Sequence, residues 1–221
     1  MWAIMKKGLV NCMIGYYNYT VILTYCSLIS AIVGTHFAFQ HNYVVALFCL
    51  MLCGFFDSFD GIVARSKKDR TEEEKKFGIQ IDSLVDLVSF GVYPAIIAYS
   101  MGFNSFPCLI LFIIYILGAV IRLGYFNVME DMRQQQTTEK RKYYQGLPVT
   151  SSCLIFPMIY CLSVCLPIPQ VQTIYFIGLG IVGLLFILNI KVPKPDFKGV
   201  LGLIGFGIIL LIILVIKGVI L

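Results

Sequence analysis

Between Asp57 and Asp86 the chain carries four aspartates in two pairs, Asp57 with Asp60 and Asp82 with Asp86, each beside an apolar run. Residues three or four apart share a helix face, so each pair, if helical, aims both carboxylates the same way. Gly61 and Ala64 follow the first pair, and Gly78 precedes Asp82 by four positions. These small residues leave room on the same faces for a bulky ligand or a close helix neighbour. Two like charges about 4 Å apart repel by about 4 kcal/mol at an effective dielectric near ~20, so four converging carboxylates need compensation. Divalent cations supply it, and an all-oxygen, carboxylate-rich site favours Mg²⁺ or Mn²⁺ over zinc. A lone aspartate at the end of a membrane span is commonly an interfacial residue; four in register with Gly, Ala and Arg65 read as a site.

The elements that must position these residues follow from composition. Of 221 residues 59% are hydrophobic and only 13% charged, a balance that excludes an ordinary soluble domain and points to a polytopic membrane protein. Seven runs approach the ~20 residues that span a hydrocarbon core: Tyr19–Phe39, Tyr43–Ala64, Ile81–Tyr99, Pro107–Phe126, Pro148–Leu166, Val171–Ile190 and Gly199–Ile220. Helices are the expected form, because a spanning segment must satisfy its backbone internally. The expected fold class is therefore all-α, a bundle of about seven spans (a six-span core plus an extra C-terminal span) in a single membrane domain over residues 1–221. Met1–Met13, broken by Lys6 and Lys7, reads as a short interfacial helix.

Lys and Arg gather in the N-terminus, in Arg65–Lys76, in Arg133–Lys142 and in Lys191–Lys198, whereas the links Gln40–Asn42, Gly102–Phe106 and Pro167–Gln170 carry no Asp, Glu, Lys or Arg. By the positive-inside rule the basic set is cytoplasmic, so the aspartate cluster opens to the cytoplasm of an integral protein of the cytoplasmic membrane. The net charge of +5 suits anionic lipid headgroups and is too scattered for a nucleic-acid surface.

The run Asp57-x-x-Asp60-Gly61-x-x-Ala64-Arg65, then Gly78-x-x-x-Asp82-x-x-x-Asp86, resembles the signature of the CDP-alcohol phosphatidyltransferases. Every fixed position matches; the spacer of 12 residues between Arg65 and Gly78 is longer than is usual for that signature. Further segments resemble the serine-accepting branch. Asp82-Ser83-Leu84-Val85-Asp86-Leu87-Val88-Ser89-Phe90-Gly91-Val92-Tyr93-Pro94 matches its third span, Arg122-Leu123-Gly124-Tyr125-Phe126-Asn127 its Arg-Leu-x-x-Phe-Asn motif, and Gly146-Leu147-Pro148 its Gly-Leu-Pro motif. Thr150 stands where that last motif continues with a second proline.

The resemblance implies transfer of a phosphatidyl group from CDP-diacylglycerol to L-serine, with membrane lipids as surroundings and a homodimer as the assembly. It implies a two-metal site (Mg²⁺ or Mn²⁺) on Asp57, Asp60, Asp82 and Asp86, with Asp86 the catalytic base. It also implies nucleotide and phosphate contacts at Asp60, Gly61, Ala64, Arg65 and Gly78. Arg122 has an argument of its own. An arginine at the centre of a span costs about 2.5–3.5 kcal/mol unless it snorkels or is paired. Its expected partner is a cluster aspartate, a substrate phosphate or the carboxylate of serine, the last making it the acceptor-binding residue.

Other polar residues carry less. His36 and His41, near the outer end of the first span, read as interfacial. The pairs Cys49/Cys53 and Cys161/Cys165 read as small apolar packing residues, without a disulfide framework. The glycines of the last two runs read as helix-packing positions. Two alternatives stay open: the same chemistry with another alcohol, glycerol 3-phosphate or an inositol phosphate, and a divalent-cation transporter, which would not need Gly, Ala and Arg at fixed offsets.

Overall fold

The computed structural model describes residues 14–67, 69–136, 143–193 and 197–220. The interfacial helix expected at Met1–Met13 and the basic segment Lys140–Lys142 lie outside them. The described chain is a helical bundle. A 3-10 turn (Tyr19–Val21) leads into α1 (Ile22–Phe39), and a tight turn at His41, whose φ is +59°, leads to α2 (Tyr43–Ser66). Asn42 caps α2 by accepting a hydrogen bond from Val45 N at 3.2 Å. Next come α3 (Glu72–Asp86), a π-helical turn (Leu87–Val92) and α4 (Tyr93–Ser100), which together form one continuous rod. The chain continues through α5 (Phe106–Gln136), α6 (Ser152–Cys161), α7 (Ile168–Ile187) and α8 (Phe197–Ile220).

Among the described residues five helices are long and apolar enough to cross a membrane: Tyr19–Phe39, Tyr43–Ala64, Glu72–Ser100, Phe106–Arg133 and Ile168–Ile187. The fifth and seventh runs of the sequence form shorter apolar helices, Val149–Val164 and Leu201–Ile216. Three features differ from those read in the sequence, and the first is that α5 continues to Gln136, past the end of the fourth run at Phe126. The third helix starts at Glu72 rather than Ile81, because Thr71 and Glu74 form a reciprocal capping box that starts a helix in the charged segment, with Glu72, Glu73 and Glu74 in the first turn. The basic link after α7 contains β2 (Lys191–Pro193), which pairs antiparallel with β1 (Tyr143–Gln145). This small sheet ties together the two links that it joins.

The core forms where bulky rings meet small residues. Tyr93, Tyr115, Tyr175, Phe90, Phe156 and Phe186 are fully buried. A Cβ on Gly34 of α1 would overlap the Tyr93 hydroxyl, which donates to Ala46 O of α2 at 2.5 Å. At the α5–α7 crossing a Cβ on Gly118 would lie 2.7 Å from Gly183 O, and one on Gly183 2.9 Å from Tyr115 Cα. Both glycines let the backbones approach closely, as small residues do between membrane helices. The first two helices are joined by a hydroxyl and a thiol: Ser30 Oγ donates to Cys49 O at 2.9 Å, and Cys53 Sγ donates to Ser27 O at 3.3 Å. The seven described cysteines are free thiols.

The π turn has a local cause and a remote support. Pro94 has no N–H to give to the carbonyl one turn back, that of Phe90. The Tyr115 hydroxyl of α5 donates to Phe90 O instead, at 2.6 Å, and lies 3.0 Å from Ser152 Oγ of α6. Tyr175 of α7 adds a longer bond to Pro94 O, 3.3 Å. Tyr115→Phe therefore leaves a buried carbonyl without its donor and is expected to cost about 1–3 kcal/mol, read as a lower unfolding midpoint in lipid-detergent micelles. Tyr175→Phe is expected to cost less; equal effects would refute this account of the turn.

Candidate active site

Asp57 lies on the face of α2 toward α6, and Gly54, one turn earlier, sets the approach. A Cβ on Gly54 would overlap Cys153 Sγ of α6. Asp82 and Asp86 lie one turn apart near the end of α3, immediately before the π turn. Asp57, Asp82 and Asp86 each offer a carboxylate oxygen, and the three lie within 4.8 Å of one another. Asp60 is buried, close enough to act electrostatically on the other three, and accepts a hydrogen bond from Thr24 Oγ1 of α1 at 3.1 Å. Two helices thus bring together aspartates that are up to 29 positions apart in the chain.

The remaining motif positions lie one turn further out. Ala64 O accepts from Arg70 Nη1 at 3.4 Å, and Gly78 on α3 faces the same guanidinium, since a Cβ there would lie 2.6 Å from Arg70 Nη2. Gly61 is on the same helix, one position after Asp60, and the backbone of Arg65 continues α2 beyond Ala64.

The motifs of the later spans converge from the other side. Asn127 Nδ2 of α5 donates to Ser83 Oγ of α3 at 2.8 Å. Arg122 is buried at 5% exposure; its Nε donates to Leu147 O at 3.2 Å, and its Cζ lies 5.4 Å from the Phe126 ring centroid. Gly146 is required next to it. Its φ is +77°, and a Cβ would lie 2.7 Å from Phe186 O and 3.1 Å from Leu188 O. Measured from the Ser83–Asn127 bond at 1.5 Å per residue, Asp86 and Arg122 lie about 4.5 and 7.5 Å further along their helices, at similar depth.

Sequence reading missed five contributors. Thr24 is a hydroxyl in an apolar run, the one sign of its bond to Asp60. Ser83 and Asn127 each belong to a motif, but their contact needs the fold. Arg70 and Glu74 lie in the basic link Arg65–Lys76, where Thr71-x-x-Glu74 is itself a legible capping signal. Glu74 also holds Lys67 Nζ at 2.9 and 3.0 Å and accepts from Asn18 Nδ2 at 3.2 Å, fastening the segment before α1 to the start of α3. His36 and His41 stay apart from the site, bonded to Gln40 and Tyr43.

The residues fit a hard divalent cation. The donors are carboxylate oxygens, their mutual repulsion calls for positive charge, and the buried Asp82 Oδ1 has no hydrogen-bond partner among the described residues. Among these residues the aspartate triplet is the one group of three or more candidate ligands so arranged.

Residues 17–188 match the family model of the CDP-alcohol phosphatidyltransferases, from just before α1 through α7. The chain belongs to the CDP-alcohol phosphatidyltransferase family. It is 36% identical over 137 residues to a CDP-diacylglycerol–serine O-phosphatidyltransferase of Saccharomyces cerevisiae, a match that takes in 61% of this chain and 48% of that one. It is 31% identical over 202 residues to the enzyme of the same name from Methanocaldococcus jannaschii, covering 81% and 89% of the two chains. The Helicobacter pylori enzyme of that name is 28% identical over 205 residues, covering 90% and 80%. The chain thus spans about half the length of the yeast relative and most of the archaeal and Helicobacter ones.

If the cluster binds a cation, Mg²⁺ or Mn²⁺ should raise the unfolding midpoint of the purified protein with the logarithm of its concentration once the site is saturated. Asp82→Asn is expected to abolish most of that response, because an amide is a poorer ligand for a hard cation and relieves part of the repulsion. An unchanged response would remove the metal reading.

Proposed function

We propose that this family member transfers the phosphatidyl group of CDP-diacylglycerol to the hydroxyl of L-serine, forming phosphatidylserine and releasing CMP. The observation that carries the reading is the meeting of Asp57, Asp82 and Asp86 from two separate halves of one motif, joined through Ser83 and Asn127 to the segment that holds Arg122. The names of the relatives support serine as the acceptor.

Asp57, Asp60, Asp82 and Asp86 would hold two divalent cations, Mg²⁺ or Mn²⁺, which when bound supply Lewis-acid stabilisation of the phosphoryl oxygens. Asp86, buried at the end of α3, takes the proton of the serine hydroxyl. The serine oxygen forms its bond to the phosphorus that carries diacylglycerol, and the bond from that phosphorus to CMP breaks. Gly61, Ala64, Arg65 and Gly78 line the nucleotide side together with Asp60. Arg122 receives the serine carboxylate, which a planar guanidinium fits better than an ammonium.

The chain is an integral membrane protein, and in this reading the site opens to the cytoplasm and two copies assemble. A single cysteine at Lys76 in a cysteine-free background is expected to react with an impermeant reagent only from the cytoplasmic side; labelling from outside would invert the orientation.

The activity test is release of CMP from CDP-diacylglycerol by the purified protein with each candidate alcohol and each metal. Release with L-serine alone is expected, and release only with glycerol 3-phosphate or an inositol phosphate would reassign the acceptor. In the same assay Arg122→Lys is expected to raise KM for serine about tenfold, with little change in KM for CDP-diacylglycerol. An unchanged serine KM would take Arg122 out of the acceptor site.

A further inference from the structure

The long spacer between the two halves of the aspartate motif brings a cation to the site. Arg70 stands two positions before Glu72, the first residue of α3, and its guanidinium turns back between the helices. Nη1 reaches Ala64 O on α2 at 3.4 Å, and Nη2 reaches Glu74 O on α3 at 3.1 Å. The same Nη2 fills the space that Gly78 leaves open. The Nε atom is buried and has no acceptor among the described residues. Ala64 lies four residues beyond Asp60 and Gly78 four before Asp82, so the guanidinium is about 6 Å along each helix axis from the carboxylates, on the side away from the π turn. Ala64 and Gly78, the motif positions that it touches, line the nucleotide side in the reading above.

Resting on the reading of CDP-diacylglycerol as donor, we propose that Arg70, outside the family motif, is a nucleotide-binding residue that engages the phosphate next to the cytidine. Two of its three nitrogens donate to backbone carbonyls, which are neutral acceptors, and Nε has no acceptor among the described residues. A phosphate oxygen is a charged acceptor that such a fork binds more strongly and with defined geometry. The helix start does not depend on Arg70 for its cap, since Thr71 and Glu74 satisfy each other there. A variant at position 70 therefore tests ligand contact more than folding.

The test is inhibition by CMP and by cytidine, together with KM for both substrates, in wild type, Arg70→Ala and Arg70→Lys. The expected result for Arg70→Ala is a CMP inhibition constant and a CDP-diacylglycerol KM raised about tenfold or more, the size of one charge-assisted contact. Cytidine inhibition, serine KM and the unfolding midpoint stay near wild type, and Arg70→Lys falls between the two. Unchanged CMP inhibition in Arg70→Ala, or an equal loss for CMP and cytidine, overturns the phosphate assignment while leaving the proposed reaction intact. A wild-type protein that neither releases CMP from CDP-diacylglycerol nor is inhibited by CMP overturns the donor itself.

Discussion

Four carboxylates gathered inside an apolar bundle are the constraint on which the rest of this structure depends. Each repels its neighbours, and burial denies them the water that would screen the repulsion. Nothing in their own chemistry draws them together, so other contacts must hold α2 and α3 in place. Gly54 admits α6 next to Asp57, the serines and cysteines of α1 and α2 join those helices, and Thr24 gives Asp60 a hydroxyl. The bundle stores the unfavourable arrangement, and a divalent cation would discharge it. That is a common logic of sites assembled for electrostatic work: the scaffold, not the ligand, bears the cost of placing like charges side by side.

The π turn behind Asp86 belongs to the same design. A widened turn is an expensive way to continue a helix, and such turns gather at functional sites. Here it follows from Pro94, and the freed Phe90 carbonyl is met by Tyr115 from a helix that also carries Arg122. Asp86 and Arg122 are thereby placed relative to one another through a single hydroxyl contact near one end and the Ser83–Asn127 bond at the other. Gly146 completes the arrangement, because its left-handed backbone lets the link turn under Arg122 while β1 and β2 fasten that link to the one after α7.

The charged segment between the motif halves shows how a loop can be both solvated and structural. Lys67, Asn18 and Thr71 all converge on Glu74, so the start of α3 is tied to the chain before α1 and to the end of α2. Individually such half-buried pairs at the rim of the bundle add modestly to stability. Their effect is positional: they hold the open end of the site where two spans emerge.

The amino-acid sequence carried the helical membrane architecture, since long apolar runs leave the backbone no other partner than its own helix. It also determined which residues form the cluster, because Asp57 with Asp60 and Asp82 with Asp86 share helix faces whatever the fold. It did not determine that Asp57, Asp82 and Asp86 meet within 4.8 Å while Asp60 turns to Thr24, for that depends on how two helices rotate against each other. The start of α3 at Glu72 was legible in the capping pair Thr71 and Glu74 but was masked by the charge of the segment, which reads as loop when hydropathy alone is followed. The pairing of Tyr143–Gln145 with Lys191–Pro193 carried no such signal, because short strands take their register from the helices that bring them together. What Arg122 and Arg70 touch was set by the packing of the helices. A long cationic side chain reaches several partners from one backbone position, and the choice is made by whichever carbonyls the packed neighbours present to it.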